Sequence, residues 1–261
     1  MTNFCSLGSE THVWIFSTRG FGQCEVTEVY DSVLNLHEKK RADRLSGEDS
    51  KKQFIVSRYF LKSVLSSYVG CFPREVSIAP GRNNKPILLK QYETQPIFFN
   101  LSHSEEKCAL VIGKQEALGI DIENSEKERR FNSLSKRYFS SSEQESIVKL
   151  APREKRERFY RLWTLKEAYA KASGNSLAIS LGKTSFSFDE ENIKFEREGE
   201  HRHLSRKCCF LALHGITGFK VSLAVVTDDT KDVSDLGFKS FEFGPHDQHK
   251  AMTFKFARIV N

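Results

Sequence analysis

The chain has 261 residues, 39% of them hydrophobic and 28% charged, a composition that closes one large core or two fused halves without a stapling metal or disulfide. Its 40 Lys+Arg against 34 Asp+Glu leave a formal charge of +6, which favours an acidic partner but is too small to argue for nucleic acid. The six cysteines form neither a C-x-x-C pair nor a Cys/His zinc spacing, and no apolar run approaches the roughly 20 residues of a membrane span. Reduced thiols, a cytoplasmic setting and no membrane association are therefore expected. Residues 1–21 lack a basic stretch leading into a continuous apolar one, so no secretory signal is expected.

Taken in chain order, residues 12–17 predict a first strand, since Val13, Trp14, Ile15 and Phe16 are bulky or β-branched. Residues 33–67 read as helical. They begin with a basic segment at Lys39, Lys40, Arg41 and Arg44 and continue with apolar residues 54, 55, 61, 64 and 65 at helical spacing. Arg58 leaves that stripe. Residues 81–86 are a turn by composition. Residues 97–104 predict a strand that runs into a polar loop, and 108–112 and 117–123 predict two more. Residues 132–174 read as helical with an interruption at Ala151-Pro152, a capping box at Ser142 and Glu145, and a stop at Gly174. Strands follow at 184–188, 194–198, 208–213 and 220–226. Residues 228–261, polar and interrupted at Gly244-Pro245, are expected to be a partly ordered extension.

The chemistry concentrates in two acidic segments. In Gly119-Ile-Asp-Ile-Glu123, Leu118, Ile120 and Ile122 take one strand face and leave Asp121 and Glu123 on the other. In the helix, Trp163, Glu167 and Lys171 recur at i, i+4 and i+8 and so share a line. An isolated D-x-E is usually a solvated strand face, and an acid four residues from a lysine is usually a surface pair worth ~0.2–0.5 kcal/mol. Jointly they supply three carboxylates for a hard divalent cation and an ammonium for phosphate.

These segments, with Phe139-Ser-Ser-Ser-Glu143 between them and Ala168 completing W-x-x-K-E-A, resemble the signature of the 4′-phosphopantetheinyl transferases, in the larger Sfp-type branch rather than the short holo-acyl-carrier-protein synthases. Gln53 to Lys62, Gly81 to Pro86 and Phe99 to Ser104 also resemble that branch, so the likeness covers roughly residues 35–226. It implies transfer of the phosphopantetheine arm of coenzyme A to a serine of an apo acyl or peptidyl carrier protein, with release of adenosine 3′,5′-bisphosphate. The implied fold is α/β (α+β), two similar pseudo-duplicated halves with the site in the cleft between them. Residues 1–113 would form the coenzyme A side, 114–227 the Mg²⁺ and catalytic-helix side, and 228–261 the extension.

Carried over, Asp121, Glu123 and Glu167 would hold Mg²⁺ against the pyrophosphate. Lys171 and His103, with Ser102 beside it, would contact the same group. Lys85 and Pro86 would lie at the adenosine end, and the basic segment around Arg41 at the 3′-phosphate. Gln53 departs from the basic residue many members carry there. Glu167 is the expected acceptor of the serine proton, with Glu143 a site neighbour and Lys166 turned about 100° away. The basic residues of 149–161 face either the carrier or solvent. A monomer is expected. The competing readings are another Mg²⁺-dependent phosphate-transfer enzyme or nucleotide hydrolase, though no Walker loop is present, a nucleic-acid module, and an inactive relative.

Overall fold

The computed structural model of the chain describes residues 7–81, 83, 85–89, 96–174, 184–189, 192–197, 207–227, 236–244, 249–252 and 255–260. Arg82, Asn84 and Glu198, placed above in a turn and a strand, lie outside the described residues, as does Pro245.

The apolar segment near the N-terminus forms β1 (Thr11–Ser17). It leads to α1 (Gln23–Ser32), which the sequence reading missed because only Val26 and Val29 are buried on it. The long helical stretch is two helices, α2 (Leu36–Asp43) and α3 (Glu48–Val69). Gly47 separates them at φ +93°, a conformation that side-chain-bearing residues rarely adopt. A short hairpin, β2 (Ile78–Pro80) and β3 (Pro86–Leu88), precedes β4 (Phe98–Ser104), β5 (Lys107–Gly113) and β6 (Leu118–Asn124).

Next come α4 (Phe131–Tyr138), α5 (Ser141–Val148) and α6 (Pro152–Ser173). The helical region therefore breaks twice, and the expected capping box shifts by two residues. Ser140 is the cap: Glu143 Oε2 accepts the Ser140 N–H at 2.7 Å, and Ser140 Oγ accepts the Glu143 N–H at 3.3 Å. The shift follows burial, because Glu143 is buried and ion-paired whereas Glu145 stays exposed. The chain continues through β7 (Thr184–Asp189), β8 (Asn192–Arg197), β9 (Lys207–His214) and β10 (Phe219–Thr227). It then adds β11 (Phe238–Phe243), β12 (His249–Met252) and β13 (Lys255–Val260). The expected loose extension is thus paired backbone: β11 runs parallel to β1, β12 antiparallel to β11, and β13 antiparallel to β9.

Among the described residues the larger sheets have the orders β12-β11-β1-β5-β4 and β13-β9-β10-β6. Their facing sides share a core in which Val13, Ile15 and Val111 meet Ile120, Ile122, Leu211 and Leu223. The outer side of the first sheet, with Trp14 and Phe16, buries against Phe60, Leu61 and Val64 of α3. The outer side of the second packs Phe210 and Ala224 under Phe159, Leu162 and Leu165 of α6. β1 is apolar on both faces because both are covered, which removes the alternation of a half-exposed strand.

The architecture repeats. β1, α3 and the β4–β5 hairpin form a sheet in which β5 lies between β1 and β4; β6, α6 and β9–β10 do the same with β10 in the middle. Both long helices have 22 residues and end at a left-handed glycine, Gly70 at φ +70° and Gly174 at φ +67°. Each carries one fully buried lysine, 14 residues beyond its first residue. Lys62 Nζ donates to Glu38 Oε2 at 3.0 Å and to the Val33 carbonyl at 3.0 Å. Lys166 Nζ meets Glu143 Oε2 at 2.9 Å and donates to the Thr184 carbonyl at 2.6 Å. Each glutamate also closes a capping box, Glu38 with Asn35 and Glu143 with Ser140. One device therefore anchors a short helix to a long one in both halves.

Candidate active site

The outer strands of the two sheets, β4 and β6, meet without sharing a backbone ladder. Asn100, Ser102 and Ser104 alternate along β4 and project toward β6. Asn100 Oδ1 accepts the Ile120 N–H at 2.9 Å, Ser102 Oγ donates to Asp121 Oδ1 at 2.9 Å, and Ser104 Oγ donates to Glu123 Oε2 at 3.0 Å. Three polar residues of the first half thereby fix the two acids of the second.

The third acid arrives on α6, which lies directly on β6 because residue 119 is glycine. A Cβ there would fall 2.0 Å from the Ala168 carbonyl oxygen and 2.5 Å from the Ala172 nitrogen. Contact this close brings the last turns of α6 over Asp121. Lys171 Nζ donates to Asp121 Oδ1 at 2.6 Å, to Ser102 Oγ at 2.9 Å and to the Ile120 carbonyl at 3.2 Å. Glu167 lies one turn back. Burial, and then the charge on Asp121, push its carboxyl up to about 7, against the pull of Lys171. Glu123 is also held above the usual carboxylate range, by burial and then by Asp121. Arg129 opposes that shift, its guanidinium 2.6 Å from Glu123 Oε2.

The acids that the sequence placed on a strand and a helix are therefore electrostatically coupled across one cleft. Among the described residues, no three His, Cys, Asp or Glu side chains stand ready at metal-ligand spacing. Lys171 and Arg129 instead occupy one oxygen each of Asp121 and Glu123. The donor set still fits a hard divalent cation. All its atoms are carboxylate oxygens, Asp121 Oδ2 is buried without a hydrogen-bond partner, and Glu167 resists ionisation because it is buried and lies near the charges of Asp121 and Glu123.

His103 faces outward on β4, its Nδ1 3.3 Å from Gln53 Nε2. Partial desolvation, reinforced by Lys171 and Arg58, holds the imidazole below its ordinary range. Arg58, absent from the expected site, lies here with Arg41. Both guanidiniums pack on the Phe54 ring, at 5.2 and 5.3 Å. Its departure from the apolar stripe of α3 was the sequence signal. Arg129, the other residue missed, comes from the irregular segment after β6, where no periodicity points to it.

Lys85 is engaged with backbone carbonyls. It donates to the Glu116 and Leu118 carbonyls at 3.1 and 2.9 Å, fastening the turn before Pro86 to the start of β6. The same turn reaches the end of α6, where the Asn83 amide donates to the Gly174 carbonyl. Glu143 and Lys166 are buried on their own ion pair and present neither charge to the cleft.

Residues 117–224 match the 4′-phosphopantetheinyl transferase superfamily, and residues 24–115 match the N-terminal region of 4′-phosphopantetheinyl transferases. The chain is 32% identical over 178 residues to the 4′-phosphopantetheinyl transferase HetI of Nostoc sp., covering 67% of this chain and 73% of that protein. It is 21% identical to the 4′-phosphopantetheinyl transferase Sfp of Bacillus subtilis, across 87% of this chain and 96% of that one. A crystal structure of a holo-(acyl-carrier-protein) synthase from Bacillus anthracis with coenzyme A (3′,5′-ADP) aligns with 43% of this chain and 96% of its own, at 21% identity and a TM-score of 0.36.

Proposed function

Because the chain belongs to the 4′-phosphopantetheinyl transferase superfamily, we propose that the seam between β4, β6 and α6 is where it transfers phosphopantetheine from coenzyme A to a carrier-protein serine. In this reaction the serine oxygen bonds to the phosphorus that bears the pantetheine arm. The bridging P–O bond breaks, and adenosine 3′,5′-bisphosphate leaves. The observation that carries the residue assignment is the coupling of Asp121, Glu123 and Glu167 across the cleft, with Lys171 held among them.

Asp121, Glu123 and Glu167 would hold Mg²⁺, which when bound offsets the negative charge of the pyrophosphate and of the departing phosphate. Lys171, positioned by Asp121 and Ser102, offers its ammonium to the same oxygens. His103 would reach the pyrophosphate as a hydrogen-bond donor. Glu167 would accept the serine proton at a carboxylate oxygen, a contribution typically of ~10²–10⁴-fold. Arg41 and Arg58, fixed against Phe54, present charge to the 3′-phosphate. Lys85 and Pro86 shape the adenosine end, with the ammonium acting through the carbonyls it holds.

No helix among the described residues is long and apolar enough to cross a membrane. The test is intact-mass spectrometry of an apo carrier incubated with the enzyme, coenzyme A and Mg²⁺. One added phosphopantetheine, lost with Asp121→Ala and with Glu167→Gln, is expected. Loading by either variant at the wild-type rate would remove that acid from the assignment.

A further inference from the structure

A second charged cavity opens between the first half of α6 and the strands β9 and β10. Its volume is about 580 Å³, within the range of small-molecule sites. None of Asp121, Glu123, Glu167 or Lys171 lines it. Its lining includes Arg153, Arg158, Arg161 and Lys220 against Glu154 and Glu157. Both acids are already engaged: Glu157 pairs with Lys220, and Glu154 accepts the Ala151 N–H at 3.2 Å. The three arginines have no carboxylate partner among the described residues.

Two of those arginines are unusually placed. The guanidiniums of Arg158 and Arg161 each lie 4.4 Å from the Phe188 ring centre, half-buried and held as neighbours by one aromatic surface. Arg161 Nε is buried without a hydrogen-bond partner. Burial disfavours the charge on both, and for Arg161 the proximity of Arg158 adds to the effect. Neighbouring like charges and an orphaned donor are costly unless something supplies acceptors. A tetrahedral or planar oxyanion does so, because a guanidinium presents its donors as a fork.

We infer that this cavity is a binding site for a small phosphorylated anion, distinct from the coenzyme A cleft. Its inner end adjoins that cleft through shared strands. Thr164 Oγ1 and Ser222 Oγ lie 2.8 Å apart and both line the cavity, while the β6–β10 register sets Ser222 opposite Asp121 and Lys220 opposite Glu123. An anion here thus sits one strand from the acids of the cleft. The chemistry fits either free phosphate or the phosphates of a nucleotide, including the product that the proposed reaction releases.

Isothermal titration with inorganic phosphate and with adenosine 3′,5′-bisphosphate, on the full chain, tests the assignment. Arg158→Gln/Arg161→Gln, with unchanged circular dichroism, is expected to weaken binding at this site about a hundredfold. Lys171→Ala is expected to leave the site intact while weakening the cleft. The tighter of the two titrants identifies the source of the phosphate. Should the glutamine pair fail to fold, Arg158→Lys/Arg161→Lys keeps the charge and loses the fork, and about tenfold weaker binding is expected. Equal binding by wild type and the folded double variant, or no titratable site beyond the one Lys171→Ala weakens, would overturn the assignment. Neither result touches the transfer reaction, which the carrier-loading assay reads separately.

Discussion

Gly119→Ala is the sharpest test of how the two elements of the cleft are held together. The new methyl carbon would lie 2.0 Å from the Ala168 carbonyl oxygen, and ordinary contact begins near 3.4 Å, so α6 must retreat by about 1.4 Å. The obstructing atoms are helix backbone, with no side chain to rotate away. The retreat carries Glu167 and Lys171 away from Asp121 and breaks the 2.6 Å contact that now fixes Lys171. A misplacement of about 1 Å in a catalytic group costs on the order of 10²-fold, and overpacking a core costs about 1–3 kcal/mol. Carrier loading followed by intact mass should fall by about two orders of magnitude, with a lower melting temperature. Gly22→Ala is the comparator. Gly22 has an ordinary φ of −78°, and its Cβ would meet only Glu25 Oε2 at 3.6 Å, so loading is expected to be unchanged. A Gly119→Ala enzyme that loads within about threefold of wild type and melts at the same temperature would refute the close-approach argument.

Lys166→Met leaves the Glu143 carboxylate buried and unpaired, and urea unfolding should report a loss of about 3–5 kcal/mol. Loading per folded molecule should stay within about threefold, so a larger drop would place Lys166 in the chemistry. Glu167 binds its proton more tightly folded, at about 7, than at its ordinary 4.5. Its stabilising contribution is present below the lower value and lost as pH rises through the upper one. In EDTA, the wild type should therefore lose melting temperature relative to Glu167→Gln between about pH 5 and pH 8, and a constant gap would contradict the raised value. Mg²⁺ should raise the melting temperature of wild type and not of Asp121→Asn; an equal rise in both would move the metal elsewhere. Arg58→Ala should raise KM for coenzyme A about tenfold or more and leave KM for 3′-dephospho-coenzyme A nearly unchanged, whereas equal effects would exclude a 3′-phosphate role.

Much of the site was legible because its geometry is local. Alternation along Leu118 to Glu123 set Asp121 and Glu123 on one face, and helical spacing aligned Glu167 with Lys171. What stayed hidden depends on partners distant in sequence. The engagement of Lys85 with the Glu116 and Leu118 carbonyls requires the turn to dock on β6, which no local pattern encodes. Lys62 and Lys166 are polar residues on helices whose cores they join, and their glutamates, 24 and 23 residues away, with the Val33 and Thr184 carbonyls, make their burial tolerable. The segment Phe238 to Phe243 mixes three phenylalanines with Lys239, Ser240 and Glu242 inside a polar stretch that reads as a tail, but a parallel ladder with β1 recruits it.

That recruitment bears on how the molecule keeps to itself. The matched regions end at residue 224, and every residue proposed for the transfer lies before that point. Yet β1 and β9 each have one long side closed only by strands from the last part of the chain. Shortened after Thr227, the protein would retain every reactive group and expose two rows of unpaired amides and carbonyls, each a template for a second molecule. Light scattering of such a chain is expected to show more aggregation than the full-length protein. The C-terminal strands thus cover one edge of each sheet, a task that leaves no trace in the motifs by which such enzymes are recognised.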